Sequence, residues 1–231
     1  MLRTSDVRRV DFGYFIRPGD ETPTGVARVE PCLGYVVLHP DGVLLFDTGI
    51  GEGDTEVDAH YRPHRRPLDD ALADVGIAGE DVRLVVNCHL HVDHCGGNPR
   101  FAGRPIVAQV GELDAARGPD YTIPTLVDFE GARYETVGGE TEILPNVLVI
   151  PTPGHTDGHQ SLAIQCRDGT VILAGQATAM AADYGADQLA WRASREGIEA
   201  VPDRSPWFDR LQELDPKRVL FAHDQSVWEP V

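Results

Sequence analysis

The sequence has little of what membrane segments, disulfide scaffolds or nucleic-acid-binding surfaces require. It has four cysteines and a single lysine, Lys217, and its 20 Lys and Arg residues face 37 Asp and Glu. No apolar run approaches the roughly 18 residues of a transmembrane helix, and the first residues lack the apolar stretch of a secretory signal. The formal net charge of −17 disfavours phosphate backbones and anionic lipids. Nucleic acid and membrane are therefore not expected partners.

The cysteines and the composition favour a cytoplasmic globular protein. The cysteines are Cys32, Cys88, Cys95 and Cys166. They form no CxxC pair and no disulfide-like spacing, so we expect reduced, mostly buried thiols. Hydrophobic residues make up 42% and charged residues 25%, which is ordinary for a globular chain. The length predicts one domain over residues 1–231, and the sequence leaves a homodimer open.

Short apolar segments alternate with amphipathic ones. Strands are predicted at residues 35–38, 43–46, 84–86, 105–108, 147–150, 162–165, 171–173 and 219–221. Helices are predicted at 67–75, 111–117 and 205–214. The segments 49–66 and 118–139 are predicted to be loops of the kind that form pocket walls. Hairpins followed by alternating strands and helices indicate the α/β or α+β class, with helices outside the sheets.

Residues 85–98, VVNCHLHVDHCGGN, hold three histidines and an aspartate within six positions. A strand places residues i and i+2 on one face, so His89 and His91 can point to one spot. The two glycines that follow let the backbone pass close by, and Asp93 and His94 can then point to a second spot. Imidazole and carboxylate are ligands that zinc prefers. The stretch therefore predicts a metal site.

Two later histidines can complete the ligand set. His155 lies in the loop PTPGHTDGH after the strand at 147–150, and His223 follows the strand at 219–221. Both stand where loops of a sheet meet at one edge, which is a common place for functional residues. His159, in the same loop as His155, is more typical of a supporting residue than of a ligand.

The pattern His89-x-His91-x-Asp93-His94 resembles the signature of the metallo-β-lactamase superfamily. FDTG at 46–49 comes before this pattern, and TPGH at 152–155 and the late His223 come after it. This is the order found in that family. The resemblance implies an αββα sandwich with the metal site at one edge of the sheets. Within the superfamily, the phrases HLHVDHCGGN, TPGHTDGHQSL and AHD are most similar to the N-acyl-homoserine lactonases, which are quorum-quenching enzymes.

The resemblance implies two metal positions. The implied ligands of the first are His89, His91 and His155. The implied ligands of the second are Asp93, His94 and His223. Asp47 would orient a ligand histidine through its other ring nitrogen.

One departure from the family concerns the residue that bridges the two metals. The family usually has an aspartate there, and this chain has Gln176. An amide oxygen can bind one cation but bridges two poorly, and the lost charge raises their repulsion by roughly several kcal/mol at an effective dielectric near 20. We therefore expect one or two zinc ions per chain, the second held more weakly. Asp183 or Asp187 downstream are the substitutes that the sequence offers.

The expected reaction is hydrolysis of a lactone or ester, with attack of a metal-bound hydroxide on the carbonyl. Asp93 would exchange protons with the water and the leaving alkoxide, and Gln176 would hold the water. Related lactonases tend to have a substrate-contacting Tyr where this chain has Ala179, and Tyr184 is the candidate replacement. Candidate residues of an acyl-chain pocket are Phe12, Tyr14, Phe15, Tyr121, Phe129, Met180, Trp191 and Trp207.

Three alternatives compete with the lactonase interpretation. A degenerate member that binds a metal or small ligand without turnover is favoured only by Gln176. A thioester hydrolase of the same superfamily shares the same phrases. A nuclease of the superfamily conflicts with the acidic charge balance.

Overall fold

The computed structural model describes residues 1–230. These residues contain twelve strands and five α-helices. The strands are Val7–Arg17 (β1), Arg28–His39 (β2), Gly42–Phe46 (β3), His64–Arg65 (β4), Val82–Val86 (β5), Pro105–Gln109 (β6), Arg133–Val137 (β7), Thr141–Leu144 (β8), Val147–Pro151 (β9), Gln160–Cys166 (β10), Gly169–Gly175 (β11) and Pro216–Phe221 (β12). The helices are Thr55–Tyr61 (α1), Leu68–Ala73 (α2), Val110–Ala116 (α3), Ala181–Arg195 (α4) and Pro206–Glu213 (α5).

The strands form two sheets. One has the order β4-β1-β2-β3-β5-β6-β7, and the other has the order β12-β11-β10-β9-β8. In the first sheet β3, β5, β6 and β7 run parallel to one another, and in the second β12 runs parallel to β11. Carboxyl ends of parallel strands meet at one edge, and open sheets commonly bind ligands there.

A buried apolar layer joins the two sheets face to face. It includes Tyr35 of β2 and Leu173 of β11. Leu72 of α2 packs on the outer face of the seven-stranded sheet. Tyr184 of α4 and Phe208 of α5 pack on the outer face of the five-stranded sheet. Each apolar face is thereby removed from water, and the αββα layering confirms the predicted fold class.

The eight predicted strands all lie within observed strands, and the three predicted helices correspond to α2, α3 and α5. The predictions of loops at 49–66 and 118–139 were wrong in part, because the first segment contains α1 and β4 and the second contains β7. Asp54 caps α1, and its side chain accepts hydrogen bonds from the backbone N–H groups of Glu56 and Val57. The helix α4 lies where no element was predicted.

The structure shows the state of the four cysteines and the character of the helices. Cys32, Cys88 and Cys95 are buried, Cys166 is partly buried, and all four are free thiols. Among residues 1–230, no helix has both the length and the apolar character that spanning a membrane requires. The core therefore forms without a disulfide between these cysteines.

The loop after β5 passes very close to the loop after β3. A Cβ atom on Gly96 would lie 2.1 Å from the backbone nitrogen of Gly51 and 2.3 Å from the carbonyl carbon of Ile50. The Gly96 N–H donates to the carbonyl oxygen of Gly49 at 2.9 Å. Only glycine fits so close an approach, and the contact fixes the path of the histidine-rich loop.

Candidate metal centre

Four segments bring the predicted ligands to one edge of the sheets. The loop after β5 carries the stretch His89–His94, and the loop after β9 carries His155. Gln176 directly follows β11, and His223 lies two residues beyond β12. Because each segment starts from a buried strand, the scaffold holds these side chains in fixed relative positions.

His89, His91 and His155 form the first cluster. Nε2 of His89 lies 3.0 Å from Nδ1 of His91, which lies 3.2 Å from Nε2 of His155. The three nitrogen atoms lie within 4.8 Å of one another. Three converging imidazole nitrogens are the donor set of a zinc site that keeps an open fourth position.

Asp93, His94 and His223 form the second cluster. Oδ2 of Asp93 lies 3.4 Å from Nε2 of His94 and 3.3 Å from Nε2 of His223. The ring centroids of His89 and His94 are 4.1 Å apart, so the two clusters are neighbours. One carboxylate and two imidazoles also suit a divalent ion.

Burial and neighbouring charges prepare His89, His155 and Asp93 for a cation. Burial, together with the neighbouring imidazoles, holds the pKa of His89 well below its usual range and lowers the pKa of His155 to about 3. The neutral imidazole is the form that binds metal. Burial acts to raise the pKa of Asp93, but His94 and His223 outweigh it and hold that pKa well below its usual range. The carboxylate is therefore ionised.

Hydrogen bonds behind the clusters decide which ring nitrogens face the centre. Oδ2 of Asp47 lies 3.0 Å from Nδ1 of His94, and the carbonyl oxygen of Pro31 lies 2.9 Å from Nδ1 of His223. Both acceptors take an Nδ1–H group, which leaves Nε2 of each ring for a metal. Asp47 has a left-handed backbone with φ 62°, a strained conformation that is typical of functional sites.

Gln176 lies beside the second cluster. Its Oε1 is 3.3 Å from Nε2 of His94, and its backbone N–H donates to Nε2 of His159 at 3.1 Å. His159 is fully buried and its Nδ1 lies 2.8 Å from Oγ1 of Thr152, so protein contacts occupy both of its nitrogens. The donor set fits a metal centre, but Gln176 brings a neutral oxygen where a carboxylate would offset the charge of two ions.

Glu112 of α3 holds together the segments that carry the first cluster. Its buried carboxylate accepts hydrogen bonds from the backbone N–H of Leu90 at 2.7 Å and from the hydroxyl of Thr156 at 2.8 Å. It also accepts a hydrogen bond from the hydroxyl of Tyr121. The ring of Tyr121 lies 4.7 Å from the ring of His91. Leu90 and Thr156 are direct chain neighbours of the candidate ligands, so hydrogen bonds to one carboxylate connect both loops to α3.

Replacing Glu112 by Ala should lower the free energy of unfolding of the metal-free protein by about 3 kcal/mol, because one buried and two partly buried donors lose their acceptor. Urea unfolding followed by circular dichroism measures the change. Glu112→Gln keeps the volume and an acceptor oxygen, and it should lose less than half as much. A loss for Glu112→Ala below about 0.5 kcal/mol, the range of ordinary surface substitutions, would contradict this role.

A cavity of about 660 Å³ opens beside the metal centre. Phe15 and Tyr121, two of the predicted pocket residues, line it together with His91, Asp93, His155 and Gln176. Arg17, Glu21 and Tyr61 also line it and were not predicted from the sequence. They belong to β1, to the segment after it and to α1, elements that were not predicted, and no motif marked them.

The structure does not support the substrate-contacting role predicted for Tyr184. This residue is fully buried in the core beneath α4, and its ring lies 4.9 Å from that of Phe208 and 5.1 Å from that of Trp228. The amide of Gln212 donates to its hydroxyl at 2.7 Å. Tyr184 therefore stabilises the packing of α4 and does not reach the cavity.

Comparisons with known proteins find similarity over most of the chain. The family model described as the metallo-beta-lactamase superfamily matches residues 27–223. An N-acyl homoserine lactonase of Bacillus sp. is 32% identical over 210 residues, which cover 84% of this chain and 81% of that protein.

Solved structures give the same relationship in three dimensions. A mutant of AiiA from B. thuringiensis with N-decanoyl-L-homoserine bound at its active site superposes with a TM-score of 0.75 at 25% identity, covering 95% of this chain and 93% of that one. An N-acyl homoserine lactone hydrolase with the product N-hexanoyl-L-homoserine bound at its catalytic metal center has the same TM-score, 0.75, identity, 25%, and coverage, 95% and 93%.

Proposed function

Because the chain belongs to the metallo-β-lactamase superfamily, we propose that it is a metal-dependent hydrolase that opens the ring of an N-acyl homoserine lactone. The observation that carries the proposal is the pair of adjacent ligand clusters beside a cavity with apolar walls. The similarity to named lactonases supports this substrate class. Ring opening of such signals would make the protein a quorum-quenching enzyme.

We propose zinc as the metal, held first by His89, His91 and His155. Asp93, His94 and His223 would hold a second ion more weakly, because Gln176 adds no charge. Metal ions bound here would supply Lewis-acid activation of the carbonyl oxygen and of the attacking water.

The cavity suits a substrate with a polar ring and an apolar chain. Phe15, Ile50, Tyr61 and Ile123 line it with apolar surface, which can accept an acyl chain. The carboxylate of Glu21 accepts a hydrogen bond from the hydroxyl of Tyr61 at 3.2 Å. This bond holds the ring of Tyr61 in place in the wall of the cavity.

Asp93 is the residue that moves the proton. Its contacts to His94 and His223 both use Oδ2, so Oδ1 remains for a hydrogen bond from the attacking water. The ionised carboxylate accepts a proton from the water as its oxygen bonds to the carbonyl carbon. It returns the proton to the ring oxygen when the carbon–oxygen bond of the ring breaks.

The test is product formation by the zinc-loaded protein with an N-acyl homoserine lactone, a p-nitrophenyl ester and an acyl thioester. Mass spectrometry should detect the ring-opened acid, and chelator-treated protein should form none until zinc is returned. Tight lactone binding without turnover would favour the non-catalytic alternative, and a clear preference for the thioester would favour the thioester hydrolase.

We propose that the protein works in the cytoplasm on this small molecule. The four free thiols support a reducing compartment. The net charge of −17 disfavours nucleic acid as a partner.

A further inference from the structure

The thiol of Cys88 lies directly behind both ligand clusters, two residues after the end of β5. Its Sγ is 3.1 Å from Oδ2 of Asp47, 3.2 Å from Nδ1 of His89 and 3.3 Å from Nδ1 of His94. The side chain is fully buried. No step of the hydrolysis described above uses this thiol.

The protons at this contact can be assigned from the geometry. Nε2 of His89 faces the first cluster, so its ring proton is on Nδ1, where Sγ of Cys88 is the neighbour. The charged oxygen of Asp47 is nearer to Nδ1 of His94, at 3.0 Å, and takes that proton. A thiol has one proton to donate and a sulfur that accepts weakly. Sulfur therefore accepts from His89 and donates to Asp47.

We propose that Cys88 is a positioning residue that links His89 to Asp47, so that one carboxylate orients a ligand histidine in each metal cluster. Asp47 acts on His94 directly and on His89 through the sulfur atom. The inference rests on the proposed metal-binding function, but it concerns affinity for the ion and not the choice of substrate.

The backbone around Cys88 holds the sulfur in this position. The Cys88 N–H donates to Oδ1 of Asp47 at 2.8 Å, and its carbonyl oxygen accepts the N–H of Gln160 at 2.8 Å. Gly175, with φ +58°, faces the side chain, and a Cβ there would lie 2.5 Å from Cβ of Cys88. The site has room for a small side chain only, so Ser and Ala are the informative replacements.

The link predicts that loss of the sulfur affects metal affinity unequally in the two clusters. Without the sulfur, His89 loses the acceptor that fixes its tautomer, whereas His94 keeps its direct bond to Asp47. Loss of a partner behind a ligand histidine typically costs about 10- to 100-fold in metal affinity. Cys88→Ala should therefore weaken the first cluster about 10-fold or more and leave the second nearly unchanged. Cys88→Ser restores a donor and acceptor and should stay within about threefold of the parent.

The experiment titrates Co²⁺ into metal-free protein and follows the visible absorption of the bound ion. A His223→Ala background isolates the first cluster, and a His155→Ala background isolates the second. Cys95→Ala is the matched control, because Cys95 is also buried in this loop but contacts the carbonyl oxygen of Leu90 at 3.4 Å. It should leave Co²⁺ affinity unchanged in both backgrounds.

Equal Co²⁺ affinities for Cys88→Ala and Cys88→Ser, or equal losses in the two backgrounds, would overturn the proposal. If Cys88→Ala does not fold, ¹⁵N NMR of histidine-labelled Cys88→Ser decides. The Nδ1 resonance of His89 must shift when oxygen replaces sulfur, and an unchanged resonance also overturns the link. Intact Co²⁺ behaviour without lactone turnover would remove the proposed substrate but support the role of Cys88.

Discussion

Replacing Asp93 by Asn should lower kcat for lactone hydrolysis by about 100-fold or more, the usual contribution of a general acid–base residue. A carboxylate that binds a metal is ionised, and Oδ1 of Asp93 is free to accept a hydrogen bond from the water because both histidine contacts use Oδ2. An amide keeps the shape and can still bind a cation, but it cannot accept the proton of the attacking water. The rate of ring opening, measured by proton release with zinc supplied, gives the change.

The control for Asp93→Asn must separate proton transfer from loss of metal and from loss of charge. Zinc content by mass spectrometry should equal that of the parent protein at the three-histidine cluster. Asp157→Asn removes the same charge from an exposed position in the loop of His155 and should keep kcat within about twofold. A metal-loaded Asp93→Asn enzyme that retained a third of the parent rate would contradict the assignment.

The fold could be predicted from the sequence where apolar residues are continuous. The prediction failed for β1 and α4, in which the buried residues do not follow a regular pattern. In β1 the pairing with β2 shifts register between Asp11 and Tyr14, so the buried positions change face and the alternation is lost. In α4 only Tyr184 and Ala190 are buried, which leaves almost no helical stripe of apolar residues to detect.

The candidate ligands could be found from the sequence because each follows a buried strand whose end the sequence marks. His155 and His223 lie far apart in the chain, yet both lie in loops that follow apolar strands, and the structure brings them into neighbouring clusters at the same edge. Glu112 and Cys88 could not be found in this way. Their roles depend on contacts between segments that only the fold creates, such as the bond from Leu90 to Glu112.

Tyr184 shows why nearness in sequence is a poor guide to the residues of a site. Its nearness in sequence to Gln176 made it a candidate for the substrate site, but α4 carries the chain away from the cavity and turns this side chain into the core. A helix changes the direction of a side chain by about 100° per residue. Sequence distance from a ligand is therefore weak information once a helix intervenes.

Replacing Gln176 by Asp should raise the affinity for a second zinc ion about 100-fold, which corresponds to about 2.7 kcal/mol. Two divalent ions in neighbouring clusters repel each other, and one added negative charge beside them is worth roughly several kcal/mol at an effective dielectric near 20. Oε1 of Gln176 already lies 3.3 Å from Nε2 of His94, so a carboxylate at this position would face the second cluster.

Gln176→Asn is the matched control, since Asn and Asp have the same shape and differ in charge. Isothermal titration of zinc into metal-free protein should show strong binding of a second ion for Asp but not for Asn or the parent. If all three proteins bind the second ion equally, the charge at this position does not limit metal binding. Another group must then offset the repulsion, and Asp93 is the ionised carboxylate already within the second cluster.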